Sequence, residues 1–292
     1  MIAIDWGTSS FRAFRLDAAG ALRDRRAAAR GILAVEGSRF EEELLSQVGD
    51  WLADGETRII MSGMIGSRQG WVEAPYLHCP AGPAELAAGL VTVAFDCAAL
   101  RLVPGLTCLD AAGMPEVMRG EETQIVGVLD GVGDALVCLP GSHAKWARVA
   151  AGRIAGFETY LSGEAFAALR GHTILGRMMR EARSDPAAFD RGVAHAAAPG
   201  HLLHQLFGVR TLGLFGRLGE AESASYLSGL LIGHEVRAAL PASAGTVHLI
   251  GAAALAALYA RAIAAQGGQT VIHDEDAASR GLARLGEMAA WG

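Results

Sequence analysis

The sequence predicts an α/β fold in two domains. Three features carry that reading: apolar strands alternate with amphipathic helices, the chain runs to 292 residues, and a strand–turn–strand hairpin opens each half. A domain takes roughly 100–200 residues, so this length accommodates two. With 51% hydrophobic and 19% charged residues, the chain has the apolar content for sizeable cores. A net charge of −6 argues against a broad nucleic-acid surface. The longest apolar run, 249–260, is shorter than the roughly 20 residues of a membrane-spanning helix. No basic leader precedes the first strand, so no signal or transit peptide is expected. Cys79, Cys97, Cys108 and Cys138 form neither a CxxC pair nor a zinc spacing. They are expected to be buried free thiols in a reducing cytoplasm.

Ile2-Ala3-Ile4-Asp5-Trp6 reads as a buried strand that ends on a carboxylate. Gly7-Thr8-Ser9-Ser10 is a tight polar turn, and Phe11-Arg12-Ala13-Phe14 returns as a second strand. Strands joined so closely pair antiparallel. Gly7 permits unusual turn angles, and Thr8 and Ser9 set hydroxyls beside successive turn N–H groups, an anion-binding concavity. Asp5 suits a hydrated Mg²⁺, which takes one or two carboxylates plus phosphate oxygens and water. The pattern describes a phosphate-binding hairpin. Its plain alternative is an ordinary hairpin with a polar turn.

Ser38-Arg39-Phe40-Glu41 has the form of a helix capping box, and Phe40, Leu44, Val48, Trp51 and Leu52 predict an amphipathic helix over 39–53. Arg58–Met61 is a short buried strand. It opens into a glycine-rich loop with Gly63, Met64, Gly66, Arg68 and Gly70, at the strand end where α/β sheets bind ligands; a structural turn is the alternative. Trp71, Pro75, Tyr76 and Pro80 mark an irregular segment, and 84–104 reads as a helix followed by a short strand.

Glu121 and Glu122 open a predicted helix over 121–130. The helix dipole favours carboxylates there, so end stabilisation is one reading. A base that accepts the proton of a substrate hydroxyl is the other. The strand Ala135–Leu139 then leads through Pro140-Gly141-Ser142-His143-Ala144-Lys145-Trp146 into Ala147-Arg148-Val149, a second hairpin. Lys145 is the sole lysine among 25 basic residues, and the chain has no Asn, the mark of a codon bias toward G and C. A lysine kept against that bias suggests a place where a compact point charge suits.

The second half is largely helical, with helices from Ser162 and over Ser223–Leu240. Thr246–Ile250 is a buried strand, and Gly251 breaks it into a helix over 252–266. The small residues there suit the approach of a flat purine. Val271-Ile272 is a last strand and 276–290 a terminal helix. His201 and His204 belong to a surface helix, and His172 and His234 to polar packing. His143 stands apart because it lies inside the second hairpin.

With these pieces in place, the chain resembles the 2-dehydro-3-deoxygalactonokinases, sugar-acid kinases of the sugar-kinase/Hsp70/actin superfamily. The resemblance runs the whole length. It rests on Asp5-Trp6-Gly7-Thr8-Ser9, Gly63-Met64-Ile65-Gly66-Ser67, Gly70-Trp71, Ala74-Pro75-Tyr76-Leu77 and Pro104-Gly105-Leu106. It continues through Arg119-Gly120-Glu121-Glu122-Thr123-Gln124, Pro140-Gly141-Ser142-His143-Ala144-Lys145-Trp146 and Leu227-Ser228-Gly229-Leu230. The resemblance implies two ribonuclease-H-like domains, 1–118 and 119–292, with ATP in the cleft between them and the terminal helix packing back on the first.

Asp5, Gly7, Thr8 and Ser9 would form the first phosphate loop, with Mg²⁺ at Asp5. Gly141, Ser142, His143 and Lys145 would form the second, with Lys145 a catalytic residue that offsets charge developing on the transferred group, its plain alternative being a surface lysine. Gly251 would meet the adenosine, although plain Ala follows where a hydroxyl residue is usual. Glu121 or Glu122 would be the base, with Asp110 a lesser candidate. Gly63, Met64, Gly66, Arg68 and Tyr76 would meet the sugar acid, whose carboxylate falls to the loop and Arg68. The implied reaction is ATP-dependent phosphorylation of the 6-hydroxyl of 2-dehydro-3-deoxy-D-galactonate in a cytoplasmic enzyme, with no nucleic-acid or membrane partner; a homodimer is compatible with it. A kinase for the gluconate-derived epimer is the near alternative, and a non-catalytic nucleotide sensor the distant one.

Overall fold

A computed structural model describes residues 1–130, 132–179, 184–241, 245–274 and 276–291. Its first elements are β1 (Ile2–Trp6), β2 (Phe11–Leu16), β3 (Leu22–Ala28), α1 (Phe40–Ala53), β4 (Arg58–Ser62), β5 (Tyr76–His78) and α2 (Pro83–Ala88). There follow β6 (Val91–Val93), β7 (Ala99–Leu102), β8 (Gly105–Leu109), β9 (Pro115–Met118), α3 (Glu121–Val126), β10 (Ala135–Leu139), β11 (Ala144–Ala150) and β12 (Arg153–Tyr160). The remainder is α4 (Ser162–His172), α5 (Pro186–Ala197), α6 (Leu202–Leu214), α7 (Glu220–Ala239), β13 (Thr246–Ile250), α8 (Ala253–Ala265), β14 (Gln269–His273) and α9 (Ala277–Met288). None of the described helices is long and apolar enough to cross a membrane.

The chain divides into two compact units. The first comprises Met1–Asp134, Ala147–Phe157 and Glu275–Gly292, the second Ala135–Trp146 and Glu158–Asp274. The first unit holds a sheet in the order β3-β2-β1-β4-β7-β6. β1 pairs antiparallel with β2 and parallel with β4, so it is a central strand, and all five of its residues are buried. Ile2, Ile4 and Trp6 alternate onto one face and pack with Phe40, Leu44, Val48 and Trp51 of α1. The alternation leaves Ala3 and Asp5 on the opposite face. A smaller sheet, β5-β8-β9, carries the chain to α3.

A five-stranded sheet has the order β12-β11-β10-β13-β14. Within the second unit, Cys138, Trp146, Val247 and Leu249 of its strands pack with Phe189, Val236, Tyr259 and Ile263 of α5, α7 and α8. β10 and β11 are sheet neighbours joined by residues 140–143, which makes the second expected hairpin real.

Several expectations are corrected. The capping box at Ser38 does not form: Ser38 takes a left-handed φ of 57° and Arg39 is the cap residue, without a side-chain bond. Glu41, Glu42 and Glu43 stabilise the start of α1 instead, through the helix dipole. The helix from Glu121 ends at Val126, where Gly127 caps it, and 84–104 holds two short strands after α2. β11 begins at Ala144, so Lys145 lies in the strand and not in the turn. Of the thiols only Cys138 is buried, and Cys97, between β6 and β7, is exposed.

Candidate active site

The first unit brings three chain segments together at the end of β1. Asp5 is 7% exposed and lies directly across from Arg12 in the β1–β2 register, and the Arg12 guanidinium bonds its Oδ2. The turn beyond it is closed by the Gly7 N–H donating to the Ser10 carbonyl at 2.9 Å. Ile32 and Leu33 donate their N–H groups to the carbonyls of Gly7 and Thr8, which fixes the turn from behind. Thr8, Ser9 and Ser10 remain exposed.

Gly63, just past β4, is the second segment. Its φ of 94° belongs to glycine, and a Cβ there would lie 2.7 Å from the Trp6 carbonyl oxygen and 3.2 Å from Asp5 Oδ1. Gly120 is the third. With φ at 106° it turns the chain into α3, and a Cβ on it would stand 3.1 Å from Gly63 Cα. The start of α3 is thereby set beside the end of β1.

Glu121 and Glu122, expected as alternatives for one role, meet different surroundings. Glu121 is partly exposed, and one of its oxygens accepts the Arg119 N–H at 3.0 Å. Glu122 is fully buried, and both its oxygens accept the Gly120 N–H, at 2.9 and 2.8 Å. Burial, reinforced by the neighbouring Glu121 charge, pushes the Glu122 carboxyl up to about 8. Thr123 completes the turn, donating to the Gly120 carbonyl at 2.6 Å and meeting Ser62 Oγ at 3.3 Å.

The residues expected to meet the sugar acid do not stay together. Gly66 and Tyr76 gather around Arg119, whose Nη2 donates to the Ala74 carbonyl at 2.7 Å. Met64 packs against the core of the unit. Arg68 stands apart, its side chain 87% exposed and 3.6 Å from Glu73.

In the second unit Ser142 and His143 sit exposed on the turn between β10 and β11. The start of α4 seats against this turn: Glu164 donates its N–H to the Ser142 carbonyl at 3.0 Å, and its carboxylate meets His143 Nε2. Lys145 is 6% exposed and donates to Thr159 Oγ1 at 2.9 Å. Glu235, also buried, receives the Trp146 indole N–H and the Tyr259 hydroxyl at 2.7 and 2.8 Å, which ties the hairpin to α7 and α8. Beside the turn lies a cavity of about 360 Å³, lined by Gly141, Ser162, Phe166, Leu231, Leu255 and Tyr259 among others. Gly251, expected at the adenosine, is not among its lining residues.

Arg12, Arg119 and Gly120 are the residues that sequence reasoning passed over. Arg12 lies in the first hairpin, and Arg119 and Gly120 directly precede the carboxylate pair, where a charge next to a glycine is the available signal.

The 2-keto-3-deoxy-galactonokinase family model matches residues 5–285. The chain belongs to the 2-keto-3-deoxy-galactonokinase family. DgoK1 of Rhizobium meliloti (strain 1021), named a probable 2-dehydro-3-deoxygalactonokinase, is 37% identical over 99% of this chain and 97% of its own. The 2-dehydro-3-deoxygalactonokinase of Escherichia coli (strain K12) is 32% identical over 91% and 90%. A crystal structure of a candidate 2-dehydro-3-deoxygalactonokinase from Sinorhizobium meliloti superposes with a TM-score of 0.90 at 36% identity, over 98% of this chain and 97% of that one.

Membership of the 2-keto-3-deoxy-galactonokinase family makes the protein a kinase. Its fold class is the expected α/β, of the actin-like ATPase kind. The activator of 2-hydroxyisocaproyl-CoA dehydratase from Clostridium difficile, solved with bound ADPNP, shares the fold at a TM-score of 0.52 and 12% identity, over 99% of this chain and 95% of that one.

Proposed function

We propose that the protein transfers the γ-phosphoryl group of ATP to the 6-hydroxyl of 2-dehydro-3-deoxy-D-galactonate, giving the 6-phosphate, as a cytoplasmic step of galactonate catabolism. The observation that carries the mechanism is the meeting of Asp5, Gly63 and the Gly120–Glu122 turn in one unit. In this reading the turn over 7–10 binds phosphate and the carboxylate pair lies close to it, the two parts that phosphoryl transfer to an alcohol requires.

Glu121 is the base in this reading, because it is the carboxylate of the pair that a substrate can reach. It takes the proton from O6 as the O6–P bond forms and the bond from phosphorus to the ADP oxygen breaks. Glu122 holds the bend at Gly120 and so aims its neighbour. In the first unit the N–H groups and hydroxyls of Thr8, Ser9 and Ser10 form a phosphate-binding turn. In the second unit Gly141, Ser142 and His143 form another. Lys145 sets a buried charge at the root of the second turn. The cavity next to Gly141 receives the base of the nucleotide; its volume and apolar lining fall within the range of small-molecule sites.

A magnesium ion fits the donors present. Among the described residues no cluster of three His, Cys, Asp or Glu forms a cage, so Asp5 is the side chain that would hold the ion, with phosphate oxygens and water completing it. When bound, it supplies charge neutralisation on the phosphates.

The test is a coupled ADP-release assay with the galactonate-derived and the gluconate-derived keto-deoxy acids. Turnover with the first should exceed that with the second. Glu121→Gln should lower turnover by about 10²-fold or more, with Glu122→Gln within about tenfold of wild type. The reverse preference reassigns the substrate, and the reverse order of the variants reassigns the base.

A further inference from the structure

Arg119 is the one buried arginine among the described residues, at 8% exposure, and its charge is felt at the buried Glu122 carboxyl without an ion pair forming among those residues. Apart from the bond to the Ala74 carbonyl, its guanidinium is unsatisfied: Nε and Nη1 meet no acceptor among the described residues. The ring of Tyr76, itself 40% exposed, lies 4.3 Å from the guanidinium carbon and roofs it. Gly66 closes a further side, where a Cβ would come 3.1 Å from Nη1. The Arg119 backbone N–H donates to Glu121 at 3.0 Å, so the cation stands two positions from the proposed base.

A cation removed from water is weakly screened, and its charge is felt by whatever binds over the 63–76 segment. A guanidinium is also the side chain best shaped for a carboxylate. Resting on the kinase reading above, we propose that Arg119 is the countercharge for the substrate's carboxylate and selects a 2-keto sugar acid over a neutral sugar. Tyr76 is the ring that turns aside to admit the anion. Arg68, the cation expected in this role, spends its charge in solvent beside Glu73. The two unengaged guanidinium donors of Arg119, Nε and Nη1, are what a carboxylate would take.

The experiment compares kcat/KM for the keto-deoxy acid and for its C1 primary amide, in wild type, Arg119→Gln and Arg119→Lys. Wild type should favour the acid by about 100-fold or more. Arg119→Gln should bring that preference to within about threefold by losing activity on the acid and keeping it on the amide. Arg119→Lys, which retains the charge, should keep a preference of about tenfold or more. An equal fall on both compounds in Arg119→Gln overturns the proposal, since Arg119 then only holds the loop. If melting shows that Arg119→Gln does not fold, a folded Arg119→Lys that has lost the preference overturns it as well. A wild-type preference under about threefold does so without any variant. Failure of the kinase reading would look different: no wild-type turnover with either acid epimer.

Discussion

Two carboxylates one position apart on α3 differ in depth, and depth decides what each can do. Glu121 keeps contact with solvent, whereas Glu122 is closed off and titrates near 8. The shift has a measurable consequence for stability. In the unfolded chain Glu122 ionises at its ordinary value near 4.5, so between that value and 8 the folded state holds a proton that the unfolded state has lost. Raising the pH through 8 therefore removes stability. Glu122→Gln cannot ionise and keeps an acceptor for the Gly120 N–H. Its unfolding free energy relative to wild type should rise by about 1 kcal/mol between pH 7 and pH 9, read by urea denaturation at each pH. A difference that stays flat would place Glu122 in a wetter setting than its burial shows.

α3 is short and holds its position by contact with α9. A Cβ at Gly281 would fall 1.8 Å from the Thr123 carbonyl oxygen, so the two helices cross backbone to backbone. Gly281→Ala must push α3 away, and Thr123 bonds Gly120 directly. The variant should lose about 1–3 kcal/mol in urea denaturation and should also lower kcat, because the displaced turn carries Glu121. Stability lost with kcat intact would show that α3 absorbs the strain before it reaches Gly120.

Elements of this kind divide into those legible in the sequence and those not. β1 and β10 were readable because a central strand is a near-continuous apolar run, and β13 because Val247, Leu249 and Ile250 are its buried residues. The residues of the site were readable as motifs, down to the carboxylate pair. Which of the pair faces outward was not, because the phase of the first helical turn is set by the φ of Gly120. The Arg119 environment was hidden for a different reason. Its partners Gly66, Ala74 and Tyr76 come from a loop far upstream, and only folding brings them to β9. The capping box failed because a left-handed Ser38 outweighs a favourable tetrapeptide.

At the scale of the whole molecule, each compact unit carries its own polar turn, at residues 7–10 in the first and 140–143 in the second. The first unit is assembled from three separated stretches of chain and the second from two. Sequence position alone therefore does not tell which unit a residue serves. The pairing of Asp5 with Arg12 bears on how such a molecule takes up its reactants. Without nucleotide, the carboxylate that would meet magnesium is already neutralised by the protein's own arginine. The free enzyme should then pass over magnesium in solution, and titration calorimetry with MgCl₂ alone should register no heat of binding at millimolar concentrations. Heat should appear once ATP is present, and Arg12→Gln should bring metal uptake forward to the nucleotide-free protein. The reactants would thus arrive in a compulsory order, with the ion travelling as a passenger on its nucleotide.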